Sequence, residues 1–113
     1  MVTIEKLRNF GCNVDEGLSR CLNNESFYLR LVGSLFNDNK VQILIDAINE
    51  NDLQKAFEAA HALKGVYGNL AITPLFKVTS EITEYLREKK EMDYRPLVEK
   101  IQELYRQFVA LNN

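Results

Sequence analysis

Histidine occurs once in the 113 residues, at position 61, and cysteine twice, at Cys12 and Cys21. That scarcity excludes much. A structural zinc site takes four Cys or His ligands, more than this chain can assemble, and no CxxC pair marks redox or metal chemistry. The longest unbroken apolar runs are a few residues, far short of the roughly 20 that a membrane-spanning helix needs. The opening MVTIEKLRNF has no basic region leading into a long apolar stretch, so no signal peptide is expected. The reading is a cytoplasmic protein with no membrane insertion and both cysteines reduced, since nothing in the pattern asks for a disulfide. The net charge of −2 supplies no basic field to draw nucleic acid or an anionic membrane. Proline (Pro74 and Pro96) and glycine (five residues) are also scarce. With no low-complexity segment, repeat or linker, residues 1–113 read as one domain with enough apolar content, 46%, to bury a core.

What the chain has is helical periodicity nearly throughout. Ile4, Leu7 and Phe10 form a first short stripe closed by Gly11, and Val14, Leu18 and Leu22 a second. A third runs from about Glu25 to Phe36, with Phe27, Tyr28, Leu31, Val32, Leu35 and Phe36 on one face, until Asn37-Asp38-Asn39 interrupts it. Val41, Leu44, Ile45 and Ile48 mark a helix that stops near Asn51. Asp52 is a good N-cap for the next, whose stripe is Leu53, Phe57, Ala60, Leu63, Tyr67 and Leu70. Thr73-Pro74 reads as a cap followed by proline at the first helical position, opening a helix with Leu75, Val78, Ile82, Tyr85 and Leu86 inward. Asp93 is expected to cap the last helix, with Pro96 in its first turn and Leu97, Ile101, Leu104, Tyr105, Phe108 and Leu111 as its stripe. No stretch reads as a strand. Four long helices with short connections favour antiparallel neighbours. The expected fold is all-α, an up-and-down antiparallel four-helix bundle with additional short N-terminal helices on its outside or end.

One segment carries chemistry: Ala59-Ala60-His61-Ala62-Leu63-Lys64-Gly65-Val66-Tyr67-Gly68-Asn69-Leu70. Two of the five glycines fall inside what should be a helix, each costing about 1 kcal/mol relative to alanine, a local conflict that asks for a reason. On a helical wheel His61 lies roughly 130° from the centre of the apolar stripe, and Gly65 further still. Gln54, His61, Gly65 and Gly68 line one outer flank, with Lys64 between that flank and the core edge. The histidine should therefore stand in solvent with almost no side chain beside it, and Lys64 within reach one turn on. An imidazole in water titrates near pH 6.5, so at neutral pH its free ring nitrogen is a nucleophile. Phosphoryl transfer spreads negative charge over three oxygens, which a nearby lysine stabilises. A lone helical histidine is most often an ordinary surface residue, but that leaves the glycines without a reason. Close helix packing is the competing reason for Gly68, which lies nearer the core edge.

At these residues the chain resembles the histidine-containing phosphotransfer domains. His61-x-Leu63-Lys64-Gly65 followed by Asn69-Leu70 looks like their signature, Asn51-Asp52 matches their turn before the active helix, and the likeness extends to Leu18, the Phe27–Phe36 stripe and the final helical hairpin. The resemblance implies a phosphocarrier without its own kinase site, passing a phosphoryl group between receiver-domain aspartates and His61. His61 would be the phosphoacceptor and Lys64 would stabilise the phosphoryl group. Gly65 would permit close docking of a receiver domain, and Gly68 falls where the family usually has a small residue; Gln54, on the same outer flank of the wheel, is expected to border that docking surface. The implied partners are response-regulator receiver domains and a hybrid sensor histidine kinase, the chain itself acting as a monomer with no metal or cofactor. Tyr67 and Ala71 depart from the family's usual small residue and glycine, and both should face the core.

Other functions fit less well. Glu58-x-x-His61 is half of a di-iron pattern, which needs a second such pair. A hydrolase would need a nucleophile at helical spacing from His61, and no Gly-rich phosphate loop is present. The alternative that remains is a helical adaptor whose bare patch binds a signalling partner without covalent phosphotransfer.

Overall fold

Helix boundaries follow local chemistry. In the computed structural model, which describes residues 1–113, α1 spans Ile4–Phe10, α2 Val14–Arg20, α3 Glu25–Gly33, α4 Lys40–Asn49, α5 Leu53–Asn69, α6 Thr73–Arg87 and α7 Arg95–Ala110, with a 3-10 turn over Ser34–Asn37 and no strand. Thr3, Asn13, Asn24 and Asp52 each accept a backbone N–H three residues on with their side chains, opening α1, α2, α3 and α5. A cap of this kind stabilises by about 1 kcal/mol. Helices α1, α4, α5 and α6 close alike, with Gly11, Asn51, Ala71 and Lys89 in the left-handed region. In each, the left-handed residue and the one after it return paired N–H bonds to the last turn, as Ala71 does to Gly68 and Ile72 to Tyr67. These bonds satisfy carbonyls that the helix itself leaves free.

Four expectations are corrected locally. The stripe expected to run to Phe36 breaks at Gly33 into the 3-10 turn, where the Leu35 carbonyl accepts from the Tyr105 hydroxyl at 2.8 Å. Leu22, assigned to an inward stripe, lies past the end of α2 at φ 56° and is 91% exposed. Thr73 does not cap its own helix: it is the first residue of α6, and its hydroxyl accepts from the Asn13 N–H at 3.2 Å and donates to the Ala71 carbonyl. Asp93 stands one residue before the N-cap of α7, with its carboxylate taking the Arg95 N–H at 3.0 Å.

Helix α4 packs on α5 and α7, α5 on α6, and α6 on α7. Short connections make successive helices antiparallel, so the four form the expected up-and-down bundle. Its core holds Leu44, Ala60, Leu63, Tyr67, Leu75, Ile82, Leu86, Ile101 and Phe108. Tyr67 and Ala71 are both buried, as their positions on the wheel imply. Thr79 and Thr83 are buried too, and their hydroxyls donate to the carbonyls one turn back, Leu75 at 2.8 Å and Thr79 at 2.5 Å.

The N-terminal helices close the end of the bundle where α5 and α7 finish. The Tyr28 hydroxyl donates to the Leu70 carbonyl at 2.8 Å, and Gly17 of α2 lies so close to that ring that an added Cβ would sit 2.6 Å from it. Phe10 and Phe36 pack on Phe108 with ring centroids 5.9 and 4.8 Å apart. The chain ends meet here: the Met1 ammonium donates to the Asn112 carbonyl at 2.9 Å, and the Val2 N–H to the Asn112 side chain. Cys12 and Cys21 are free and buried, and burial pushes the Cys12 thiol up to about 12.

Lys89 is exposed, makes no ion pair and holds φ 51°, a conformation that costs a side-chain-bearing residue about 1 kcal/mol. Lys89→Gly should therefore raise the unfolding free energy by about 1 kcal/mol. Thermal denaturation followed by circular dichroism checks this, and an unchanged or lower Tm would show that the turn stores no strain.

Candidate functional site

Helix α5 is the longest in the molecule, opened by the Asp52 cap, and His61 sits at its middle. Its buried line is Ala56, Ala59, Ala60, Leu63 and Tyr67. Two of these, Ala56 and Ala59, lie outside the stripe read from the sequence, whereas Leu53 and Phe57 of that stripe are only half-buried. The inward direction is thus turned away from Phe57, and His61 points out into solvent.

The two glycines near His61 differ. At Gly65, one turn on, an added Cβ would meet nothing within 4 Å. At Gly68 it would lie 2.8 Å from the Phe76 ring of α6, so Gly68 has a packing reason to lack a side chain. On its other side His61 is walled. The Phe57 ring, one turn back, stacks on the imidazole with centroids 5.6 Å apart and planes 24° from parallel. The Arg87 guanidinium of α6 lies over the far part of the same cluster, 5.1 Å from the Phe57 centroid.

Lys64 is half-buried, and its ammonium leans onto α6, 3.6 Å from a Glu84 carboxylate oxygen. The second oxygen of that carboxylate is 3.4 Å from Arg87 Nε. Exposed pairs of this kind contribute up to about 1 kcal/mol, which leaves both cations able to change partner.

His61, Lys64, Gly65 and Gly68 line one open concavity of about 990 Å³, together with Phe76 and Lys77 of α6 and with Asn13, Glu16 and Arg20 from the N-terminal segment. Gln54 does not line it: this residue is exposed near the start of α5, where its amide donates to Glu58 at 3.4 Å. Arg20 donates to the Gly68 and Asn69 carbonyls and is paired with Glu16, so its charge sits on the negative end of the α5 dipole. Glu58 and His61 belong to no cluster of three or more residues able to hold a metal ion. The sequence reading missed Phe57 as a neighbour of His61, although its spacing of four was a signal. It also missed Glu84 and Arg87, for which no local signal exists.

What the arrangement can do chemically is limited and definite. An exposed imidazole with one open side, one aromatic wall and the Lys64 ammonium lining the same concavity suits an anionic electrophile that approaches over Gly65. The sequence model of the Hpt domain family matches residues 36–111, from the 3-10 turn through α7, so α1 to α3 precede the matched span. No curated protein and no solved structure matches the chain.

The contrast between the glycines is testable. Gly65→Ala should raise the unfolding free energy by about 0.5–1 kcal/mol, because alanine favours a helix and nothing obstructs the methyl group. Gly68→Ala should lower it, because the Phe76 ring must move. Thermal unfolding of both variants decides, and a destabilised Gly65→Ala would show that this flank is not open.

Proposed function

The chain belongs to the Hpt domain family, and we propose that within it His61 is the residue that accepts and donates the phosphoryl group. Members of this family carry phosphoryl groups on histidine within phosphorelays, exchange them with receiver domains and kinases, and act as phosphocarriers rather than as kinases. The observation that carries the assignment is the open flank: the chain's one histidine stands in solvent at mid-helix, one turn from a glycine where an added Cβ would meet nothing within 4 Å.

The step follows from this placement. The ring nitrogen that bears no proton attacks the phosphorus of a receiver's aspartyl phosphate. A P–N bond forms as the aspartyl P–O bond breaks, the carboxylate leaves with the electron pair, and the N–H on the other ring nitrogen is retained. Donation to the next receiver is the reverse. Proximity and charge are all that the protein has to supply. Lys64 offsets negative charge on the transferring group, and Gly65 lets the donor's surface approach. Receiver domains, one of them carried by a hybrid sensor kinase, dock on the concavity around these residues. Residues 1–113 act as a single monomeric unit in the cytoplasm; no helix is long and apolar enough to cross a membrane.

Incubation with a phosphorylated receiver domain should place acid-labile phosphate on the parent protein and none on His61→Gln, which should melt like the parent. Phosphate uptake by His61→Gln would overturn the assignment, and binding of receivers without uptake by either protein would mark a helical adaptor instead.

Lys64→Ala should slow transfer about tenfold, equivalent to about 1.4 kcal/mol at the transition state, with little change in Tm because its ion pair is partly exposed. Rapid-quench kinetics check this, and an unchanged rate would reduce Lys64 to a solvated charge.

A further inference from the structure

Lys64 is on α5 and Arg87 on α6, yet one carboxylate holds both. Glu84 Oε1 is 3.6 Å from Lys64 Nζ, and Glu84 Oε2 is 3.4 Å from Arg87 Nε. The Arg87 guanidinium covers Phe57 at 5.1 Å, and Phe57 covers His61 at 5.6 Å. Lys64 follows His61 by one turn of the same helix. These contacts run from the imidazole through Phe57 and Arg87 to the carboxylate and on to Lys64, which the α5 backbone joins back to His61. Arg87 is therefore separated from His61 by one side chain, and Lys64 by one helical turn.

We infer that Glu84 is a positioning residue that holds Lys64 and Arg87 while His61 is unloaded and yields them to the phosphoryl group once His61 carries it. The inference rests on His61 being the phosphoacceptor. Three physical points support it. The pairs are loose: the side chains are 30%, 55% and 48% exposed for Lys64, Glu84 and Arg87, so breaking them costs little. The incoming group is the stronger partner, since a phosphoryl group carries close to two negative charges and three acceptor oxygens, against one charge on a carboxylate. The carboxylate also has a task before loading, because two cations with no anion between them would repel each other and attract stray anions to the docking surface. Glu84 thus sets how much of the cations' attraction is left over to stabilise the phosphorylated state.

The unloaded protein spends part of that attraction on Glu84, so removing its charge should favour loading. At equilibrium with a phosphorylated receiver domain, Glu84→Gln should raise the ratio of phosphohistidine to aspartyl phosphate roughly two- to fivefold. Glu84→Asp, which keeps the charge on a shorter stem, should fall between Glu84→Gln and the parent. The ratio compares loaded with unloaded protein, so a general loss of packing would not move it in this graded way. An unchanged or lowered ratio in Glu84→Gln overturns the inference. A second arm needs no receiver: phosphoramidate, a small phosphoryl donor, is used to load His61 while Arg87 Nε–H and the Lys64 ammonium are followed by nuclear magnetic resonance. Both signals should shift on loading of the parent, and neither in His61→Gln. Signals that stay fixed while His61 becomes phosphorylated overturn the exchange of partners. Signals that shift in a protein that exchanges nothing with receivers would defeat the phosphorelay reading and leave the Glu84 exchange standing.

Discussion

The exposed carbonyls at the C-terminal end of α5 are the constraint around which the molecule is arranged. A helix leaves its last carbonyls unpaired and concentrates partial negative charge there. Here the Val66 and Tyr67 carbonyls are bonded locally by the Leu70 and Ile72 N–H groups, and the carbonyls from Gly68 to Ala71, the last two just past the helix, find donors in the N-terminal segment. Arg20 takes Gly68 and Asn69, the Tyr28 hydroxyl takes Leu70, and the Asn13 N–H takes Ala71. Three short helices, none of which is long enough to persist alone, are thereby fastened to the end of the helix that carries His61. The clamp also explains why Gly17 must be bare, because Tyr28 can reach Leu70 only if α2 lies directly against its ring. The concavity beside His61 is a by-product of the same arrangement, since Asn13, Glu16 and Arg20 line its far side.

Around His61 the molecule combines openness on one side with order on the other. Gly65 gives up helix stability to leave space, while the Phe57 ring limits where the imidazole can turn. An aromatic wall contributes contact but neither proton nor formal charge. The charges stand beside it at the surface, on Lys64, Glu84 and Arg87. The imidazole and the charges around it are thus supplied by different residues on two helices.

Features encoded within a few residues were legible in the sequence. Asp52 as the cap of α5, the end of α4 near Asn51, the close of α1 at Gly11 and the outward placement of His61 and Gly65 all follow from local preference and period. The misses share a cause. Ala56 and Ala59 escape a stripe read from large apolar residues, although small residues are what lets helices approach closely. Leu22 obeys the period but lies beyond a helix that has already ended. Local preference makes Thr73 a cap for its own helix, whereas its hydroxyl accepts from the Asn13 N–H, sixty positions earlier. Glu84 and Arg87 become neighbours of α5 only through the register in which α6 packs, anchored where Phe76 fills the space over Gly68. No pattern within α6 announces that register.

The meeting of Met1 and Val2 with Asn112 makes the topology nearly circular. Because the two ends already touch, a short linker would join them at little cost in chain entropy. New ends could then be opened in the exposed turn between α6 and α7, distant in sequence from both the α5 clamp and His61. The same adjacency would allow the whole unit to be set into a surface loop of another protein with entry and exit side by side, so that a host would need to accommodate only one point of attachment.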